Sequence, residues 1–156
     1  MLRACRTAGI HCAVDTCGLA PTETLLKVAE FTDLFLFDLK QMDSQIHQHF
    51  TGKPNEQILE NITALAERGT ALRIRLPLIP GINADDTNLR ATAAFVAALP
   101  GIEEIDLLPY QSAAQSKYAR LGLVNPGHDL VPPTDAEKDR ALNIFTEHGL
   151  RVRLGG

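Results

Sequence analysis

Asp38 and Lys40 stand at the end of an unusually greasy stretch, Asp33-Leu34-Phe35-Leu36-Phe37-Asp38-Leu39-Lys40-Gln41-Met42-Asp43. A short apolar run of this kind fits a strand buried on both faces. Side chains alternate along a strand, so Leu36, Asp38 and Lys40 point one way and Phe35, Phe37 and Leu39 the other. An acid and a base thus project together, and buried charges are costly unless paired or used. An internal ion pair satisfies that rule. So does a binding site, and other polar residues recur at comparable places. Asp15 and Thr16 end an earlier apolar run, Arg73 and Arg75 share one face of a later one, and Asn83, Asp85 and Asp86 follow it. Tyr110 and Gln111 close another. Lys40 and Arg75 can neutralise a carboxylate or phosphate. Asp15 and Asp38 can take an ammonium group, ribose hydroxyls or a metal cation. There is no Ser–His–Asp spacing, glycine-rich phosphate loop or HExxH helix. His11, His47, His49, His128 and His148 do not sit at clear strand ends and read as surface or packing residues. The set suits a zwitterionic cofactor and contains no evident acid–base pair.

The elements that must position these residues alternate. A helix over Leu2–Thr7 closes at Gly9, and Ile10–Val14 reads as a strand. Pro21 and Thr22 open a helix, and the Asp33 stretch is the second strand. Asp43 caps a short helix through Phe50; Asn55 caps a longer one with Ile58, Leu59, Ile62, Leu65 and Ala66 at helical spacing. Strands are expected over 72–79 and 105–108, with a helix from Thr87 to Leu99 between them. Ser112 to Pro133 shows no strong period and reads as a long loop with one turn of helix. Thr134 and Glu137 form a capping box for the last helix, and Leu150–Leu154 is the final strand. Helix–Gly–strand units recur at Gly9, Gly69, Gly101 and Gly149, the pattern of βα units with parallel strands. In such folds chemistry gathers at the carboxyl ends of the strands, where the polar residues fall.

The 156 residues fit one domain, 1–156, with a real core. The net charge of -4 is spread without basic blocks, which argues against nucleic acid as the main partner. No apolar run approaches the roughly 18 to 20 residues of a membrane span, and the start lacks a signal-peptide core. A cytoplasmic location follows as the expectation. Cys5, Cys12 and Cys17 fit neither a disulfide framework nor a common metal spacing. Cys5 reads as a helix-face residue and Cys12 as a strand residue, both core; Cys17 lies in a loop.

Five motifs occur in order: Asp15-Thr16-Cys17-Gly18, Phe37-Asp38-Leu39-Lys40-Gln41-Met42-Asp43, Thr51-Gly52-Lys53-Pro54-Asn55, Arg75-Leu76-Pro77-Leu78-Ile79-Pro80-Gly81-Ile82-Asn83, and Leu107-Leu108-Pro109-Tyr110. Together they resemble the glycyl-radical-enzyme activating enzymes, the pyruvate formate-lyase activating enzyme family, within the radical S-adenosylmethionine superfamily. The resemblance runs over nearly the whole chain. It implies an α/β fold, a partial (β/α)6 barrel. It implies a [4Fe–4S] cluster that cleaves S-adenosylmethionine reductively, and a 5′-deoxyadenosyl radical that takes a hydrogen atom from a glycine of the partner enzyme. The implied partners are a glycyl radical enzyme and an electron donor such as flavodoxin or ferredoxin. Matched by motif, Asp38, Leu39 and Lys40 contact S-adenosylmethionine, with Lys40 on its carboxylate. The resemblance further implies that Arg75 faces the cofactor pocket and that Asp15, Thr16 and Asp38, with the Leu36 carbonyl as an addition, are the ligands of a monovalent cation. Gln111 stands where the family often has histidine.

The chain departs from the family pattern at its front. It has no CxxxCxxC loop and no Gly-Gly-Glu strand end, and its cysteines do not substitute for them. The resemblance therefore implies the C-terminal portion of an activating enzyme, without the first two βα units, without iron–sulfur ligands of its own and inactive alone. Two other readings stand beside it: an aldolase-like barrel with Lys40 as a Schiff-base lysine, and a non-catalytic half-barrel that binds a partner.

Overall fold

The computed structural model describes residues 1–112, 117–118, 120–124 and 127–155. Among these residues the elements run α1 (Leu2–Thr7), β1 (Ala13–Thr16), α2 (Thr22–Ala29), β2 (Leu34–Asp38), α3 (Ser44–Thr51), α4 (Glu56–Glu67), β3 (Leu72–Leu78), α5 (Asp86–Ala97), β4 (Glu104–Pro109), α6 (Asp135–Glu147) and β5 (Arg151–Leu154). The strands form one sheet in the order β1-β2-β3-β4-β5, every neighbouring pair parallel. This is the α/β arrangement expected of a partial barrel.

The core lies on one face of the sheet. Phe35 and Phe37 of β2, Ile74 and Leu76 of β3, and Ile105 and Leu107 of β4 are fully buried against Ile58, Ile62 and Leu65 of α4, Leu89 of α5 and Phe145 of α6. Each large side chain buried in this way contributes about 2 kcal/mol. The residues between them, Leu36 and Asp38, Arg73 and Arg75, Glu104 and Asp106, take the opposite face by alternation. That inner face is therefore ionic where the outer one is apolar. Charge alternates across it in register, with Asp38 beside Arg75, Arg75 beside Asp106 and Asp106 beside Arg153.

The start of the first strand and the cap of α4 differ from the sequence reading. The first strand begins at Ala13, not Ile10, because its single partner begins at Leu34 and the pairing runs from Ala13–Leu34 to Thr16–Phe37. Ahead of it, Cys12 is fixed by Asp33, whose carboxylate accepts from the Cys12 amide at 2.7 Å. Asp15 and Thr16 thus belong to the strand itself. Asn55 precedes α4 but does not cap it through its side chain. Its amide donates instead to the carbonyls of Gln41, at 2.8 Å, and Met42, at 2.9 Å. The other cap readings hold. Asp43 accepts from the Ile46 amide, and Thr134 and Glu137 form the reciprocal capping box. Between 112 and 133 the described backbone is helical at Lys117, Tyr118 and Arg120; the rest of that loop reading lies partly outside the described residues.

Candidate functional site

Arg75 is the centre of the inner face at its carboxyl end. Parallel register sets it beside Asp38, and β1 brings Asp15 to the same place. The Arg75 Nη2 donates to Asp15 Oδ1 at 2.5 Å and lies 2.7 Å from Asp38 Oδ1, while Nε donates to the same Asp38 oxygen at 2.8 Å. Lys40 stands 3.5 Å from the other oxygen, Asp38 Oδ2. Two carboxylates and two cations thus balance in one cluster. Partial burial pulls the Arg75 pKa down, but the hydrogen bonds to Asp15 and Asp38 outweigh it and the net direction is up. The guanidinium stays charged at every pH at which the protein folds.

The remaining residues read as site members are placed as follows. Leu39 turns its side chain into the core and donates its amide to the Arg75 carbonyl at 2.9 Å, so it offers a ligand only its backbone. Thr16 pairs in register with Phe37, on the face opposite Asp15, and its hydroxyl accepts from the Gly18 amide at 2.9 Å. Gln111 is exposed beyond the end of β4. Arg73 shares the face of Arg75 but lies one layer toward the amino end, near Glu104 and Asp106. Asp85 caps α5 and Asp86 pairs with Arg140, so both hold helices and not the rim. Asp85 also borders, with Asp43, a cleft of about 480 Å³ between the starts of α3 and α5. Both carboxylates there are engaged as caps, and that cleft lies apart from the Asp15–Arg75 cluster.

The loops carrying the cluster are fastened from behind by buried amides that the sequence reading did not pick out as a set. Asn83 donates to the Lys40 carbonyl at 2.8 Å and the Pro77 carbonyl at 2.6 Å, and accepts from the Ile79 amide at 2.8 Å. Asn88 accepts from the Met42 amide and donates to the Asn83 carbonyl. Asn61 donates to the carbonyls of Gly18 and Ala20, and so holds the turn after β1. Gly18 is required there: its φ is +71° and a Cβ would meet the Phe37 ring at 1.9 Å. The loops after β1, β2 and β3 are thus tied to a helix or to one another by buried, hydrogen-bonded amides, which helps to fix Asp15, Asp38 and Lys40 relative to one another.

Within residues 1–92, which hold Asp15, Asp38, Lys40 and Arg75, the sequence matches the family model described as Radical SAM superfamily. The chain belongs to the radical SAM superfamily. It is 36% identical, over its whole length, to the trans-4-hydroxy-L-proline dehydratase activating enzyme of Clostridioides difficile, of which it covers 52%. It is 38% identical to the choline trimethylamine-lyase activating enzyme of Oleidesulfovibrio alaskensis, of which it covers 51%. The chain spans about half the length of these curated relatives. A solved domain of a pyruvate-formate lyase-activating enzyme from Bacteroides vulgatus superposes with a TM-score of 0.84 at 39% identity, covering 99% of this chain and 87% of that one. The resemblance carried by the five motifs is thus shown, as is the parallel α/β fold it implied.

Asp15 and Asp38 already converge on one positively charged nitrogen, so the pair fits a cation. Cys5, Cys12 and Cys17 do not fit a cluster: among the described residues no three His, Cys, Asp or Glu side chains form a metal site. Burial, with Cys5 and Asp33 nearby, pushes the Cys12 thiol up, away from the thiolate a metal needs. His47, read as a packing residue, is buried and also stands beside Lys40. Together with Thr51 they line both a 280 Å³ cleft against Phe50 and Ile79 and a 180 Å³ cleft against Cys17 and Ile58. Its Nδ1 lies 2.7 Å from the Lys53 carbonyl and 3.0 Å from the Thr51 hydroxyl.

Proposed function

We propose that this chain forms the S-adenosylmethionine-holding part of an activating enzyme for a glycyl radical enzyme, and that Asp15, Asp38, Lys40 and Arg75 are the residues that hold the cofactor's charged end. The observation that carries the reading is the balanced cluster at the strand ends, inside the segment that matches the radical SAM model. S-adenosylmethionine held there would supply, with a reduced [4Fe–4S] cluster that this chain's cysteines do not fit, the radical chemistry by which a glycine of the partner enzyme would lose a hydrogen atom.

The chain's own residues bind and orient. Lys40, part-exposed and 3.5 Å from Asp38, offers its ammonium to the cofactor carboxylate. The backbone of Leu39 and Lys40 is held by the Arg75 carbonyl and the Asn83 amide, which fixes the point from which the Lys40 side chain extends. Asp15 and Asp38 hold a monovalent cation beside the carboxylate. Thr16 shapes the turn that ends β1 next to them. Arg75 and Gln111 face the remainder of the ligand, Gln111 with both a donor and an acceptor to offer. In this reading Cys5, Cys12 and Cys17 do not bind iron–sulfur, and the chain by itself does not turn over. A cytoplasmic glycyl radical enzyme and a flavodoxin or ferredoxin are its protein partners in this reading, with no nucleic acid or membrane; among the described residues no helix is long and apolar enough to cross a membrane.

Binding and cluster assembly are tested separately. Equilibrium dialysis with S-adenosylmethionine is expected to show saturable binding that weakens about 10-fold or more in Lys40→Ala, the loss of one charge-assisted contact of about 1.5–3 kcal/mol. Equal binding by Lys40→Ala and the parent protein would refute the assignment. Anaerobic incubation with iron and sulfide is expected to leave the protein colourless; a stable cluster would show that ligands exist in this chain after all.

A further inference from the structure

Arg75 and a bound cation cannot share the space between Asp15 and Asp38. The guanidinium Nη2 already sits 2.5 Å from one carboxylate and 2.7 Å from the other, which is where a cation bridging them would lie. The two positive charges would also repel. The backbone of Arg75 is pinned, its carbonyl accepting from the Leu39 amide at 2.9 Å, so any departure is a side-chain movement. On the other side of β3, the register partner of Arg75 is Asp106 of β4. Such partners on adjacent strands lie within side-chain reach on one face.

Asp106 is itself anomalous. It is 2% exposed, and its Oδ1 is buried with no hydrogen-bond partner. Its other oxygen has only Arg73 Nε, at 3.8 Å. Arg153, its register partner on β5, is directed to Glu104 at 3.6 Å. Buried carboxylate oxygens are rarely left without a donor. A guanidinium with five N–H groups lies one strand away.

We infer that Asp106 is the second seat of Arg75: as a monovalent cation enters between Asp15 and Asp38, the guanidinium crosses to Asp106, which thereby sets the affinity of the cation site. This rests on the reading of Asp15 and Asp38 as cation ligands. In the first seat Arg75 neutralises both carboxylates and leaves Asp106 short of a donor. In the second the cation takes over that neutralisation and the Asp106 oxygen gains its donor. Without Asp106 an entering cation would strand a guanidinium on a half-buried face.

The test follows the Arg75 Nε–Hε signal of ¹⁵N-labelled protein, assigned by its loss in Arg75→Lys. Potassium chloride is titrated against choline chloride at constant ionic strength. Potassium is expected to move the signal saturably in the parent protein. Asp106→Asn is expected to bind potassium about 10-fold more weakly, inside the roughly 5- to 150-fold range of site-to-site coupling, and to give a different end position; Asp106→Glu is expected to restore both. If potassium binds the parent protein, measured by calorimetry, while the Arg75 signal stays still, the exchange is refuted and the cation site stands, with no variant needed. Equal potassium affinity and equal end positions in Asp106→Asn also refute it. If the parent protein shows no saturable potassium binding, the cation reading fails and the exchange with it, whereas S-adenosylmethionine dialysis still reports on the rest of the site.

Discussion

Replacing Asn83 by alanine is expected to loosen the site more than any change to the cluster itself. Asn83 is 2% exposed and its side chain makes three hydrogen bonds, to the carbonyls of Lys40 and Pro77 and from the amide of Ile79. A net contribution of about 1 kcal/mol for each gives about 3 kcal/mol, and the backbone groups left without partners raise the cost unless water reaches them. Asn83→Ala should therefore lower stability by about 3–4 kcal/mol, a large share of the about 5–15 kcal/mol typical of a domain, with a fall in Tm on the order of 10 °C. Urea unfolding followed by circular dichroism measures this, with the m-value unchanged if the transition stays two-state. S-adenosylmethionine binding should weaken as well, because the carbonyl Asn83 holds belongs to Lys40. A stability loss below about 1 kcal/mol would refute the view that buried amides position these loops.

Gly18→Ala is expected to cost about 2 kcal/mol or more in thermal melts, since the added Cβ meets the Phe37 ring at 1.9 Å and the φ of +71° is strained for alanine; unchanged melting would contradict the geometry. The Glu137 carboxyl is held below its ordinary pKa by the Thr134 amide and hydroxyl of the capping box. A lowered folded-state pKa means stability present above the unfolded value of about 4.3 and lost as pH falls through the folded one. Glu137→Gln should thus be less stable than the parent at pH 7, and the difference should shrink in acid; a gap that widens in acid would reverse the sign. Cys12, buried and with its thiol pushed up, should alkylate with iodoacetamide more slowly than the part-exposed Cys5 and Cys17, as peptide mass mapping would show.

Much of this architecture is legible locally. Phe35 and Phe37 alternating with Leu36 and Asp38 give both a strand and its two faces, because a pleat has period two whatever surrounds it. Asp43, Thr134 and Glu137 announce helix starts because a cap acts over three residues. Asn55 has the same cap chemistry at a helix start and behaves differently: its Nδ2 donates to the Gln41 and Met42 carbonyls, 14 and 13 residues back, and its oxygen makes no cap bond. His47 reads as a packing residue and is buried, its ring held by the Lys53 carbonyl just past its own helix.

The residue types, their strand-end positions and the order of five motifs are properties of the sequence, and they suffice for the superfamily and the sheet. Pairings are not. Arg75 is 60 residues from Asp15 and 37 from Asp38, and nothing in the spacing selects those partners over Asp106, which it also adjoins in register. Parallel crossovers join strands through helices of varied length, so lateral neighbours on a sheet are separated by arbitrary stretches of chain. Only the assembled sheet decides that one guanidinium bridges two carboxylates while a third, equally near in register, is buried with an oxygen unmet.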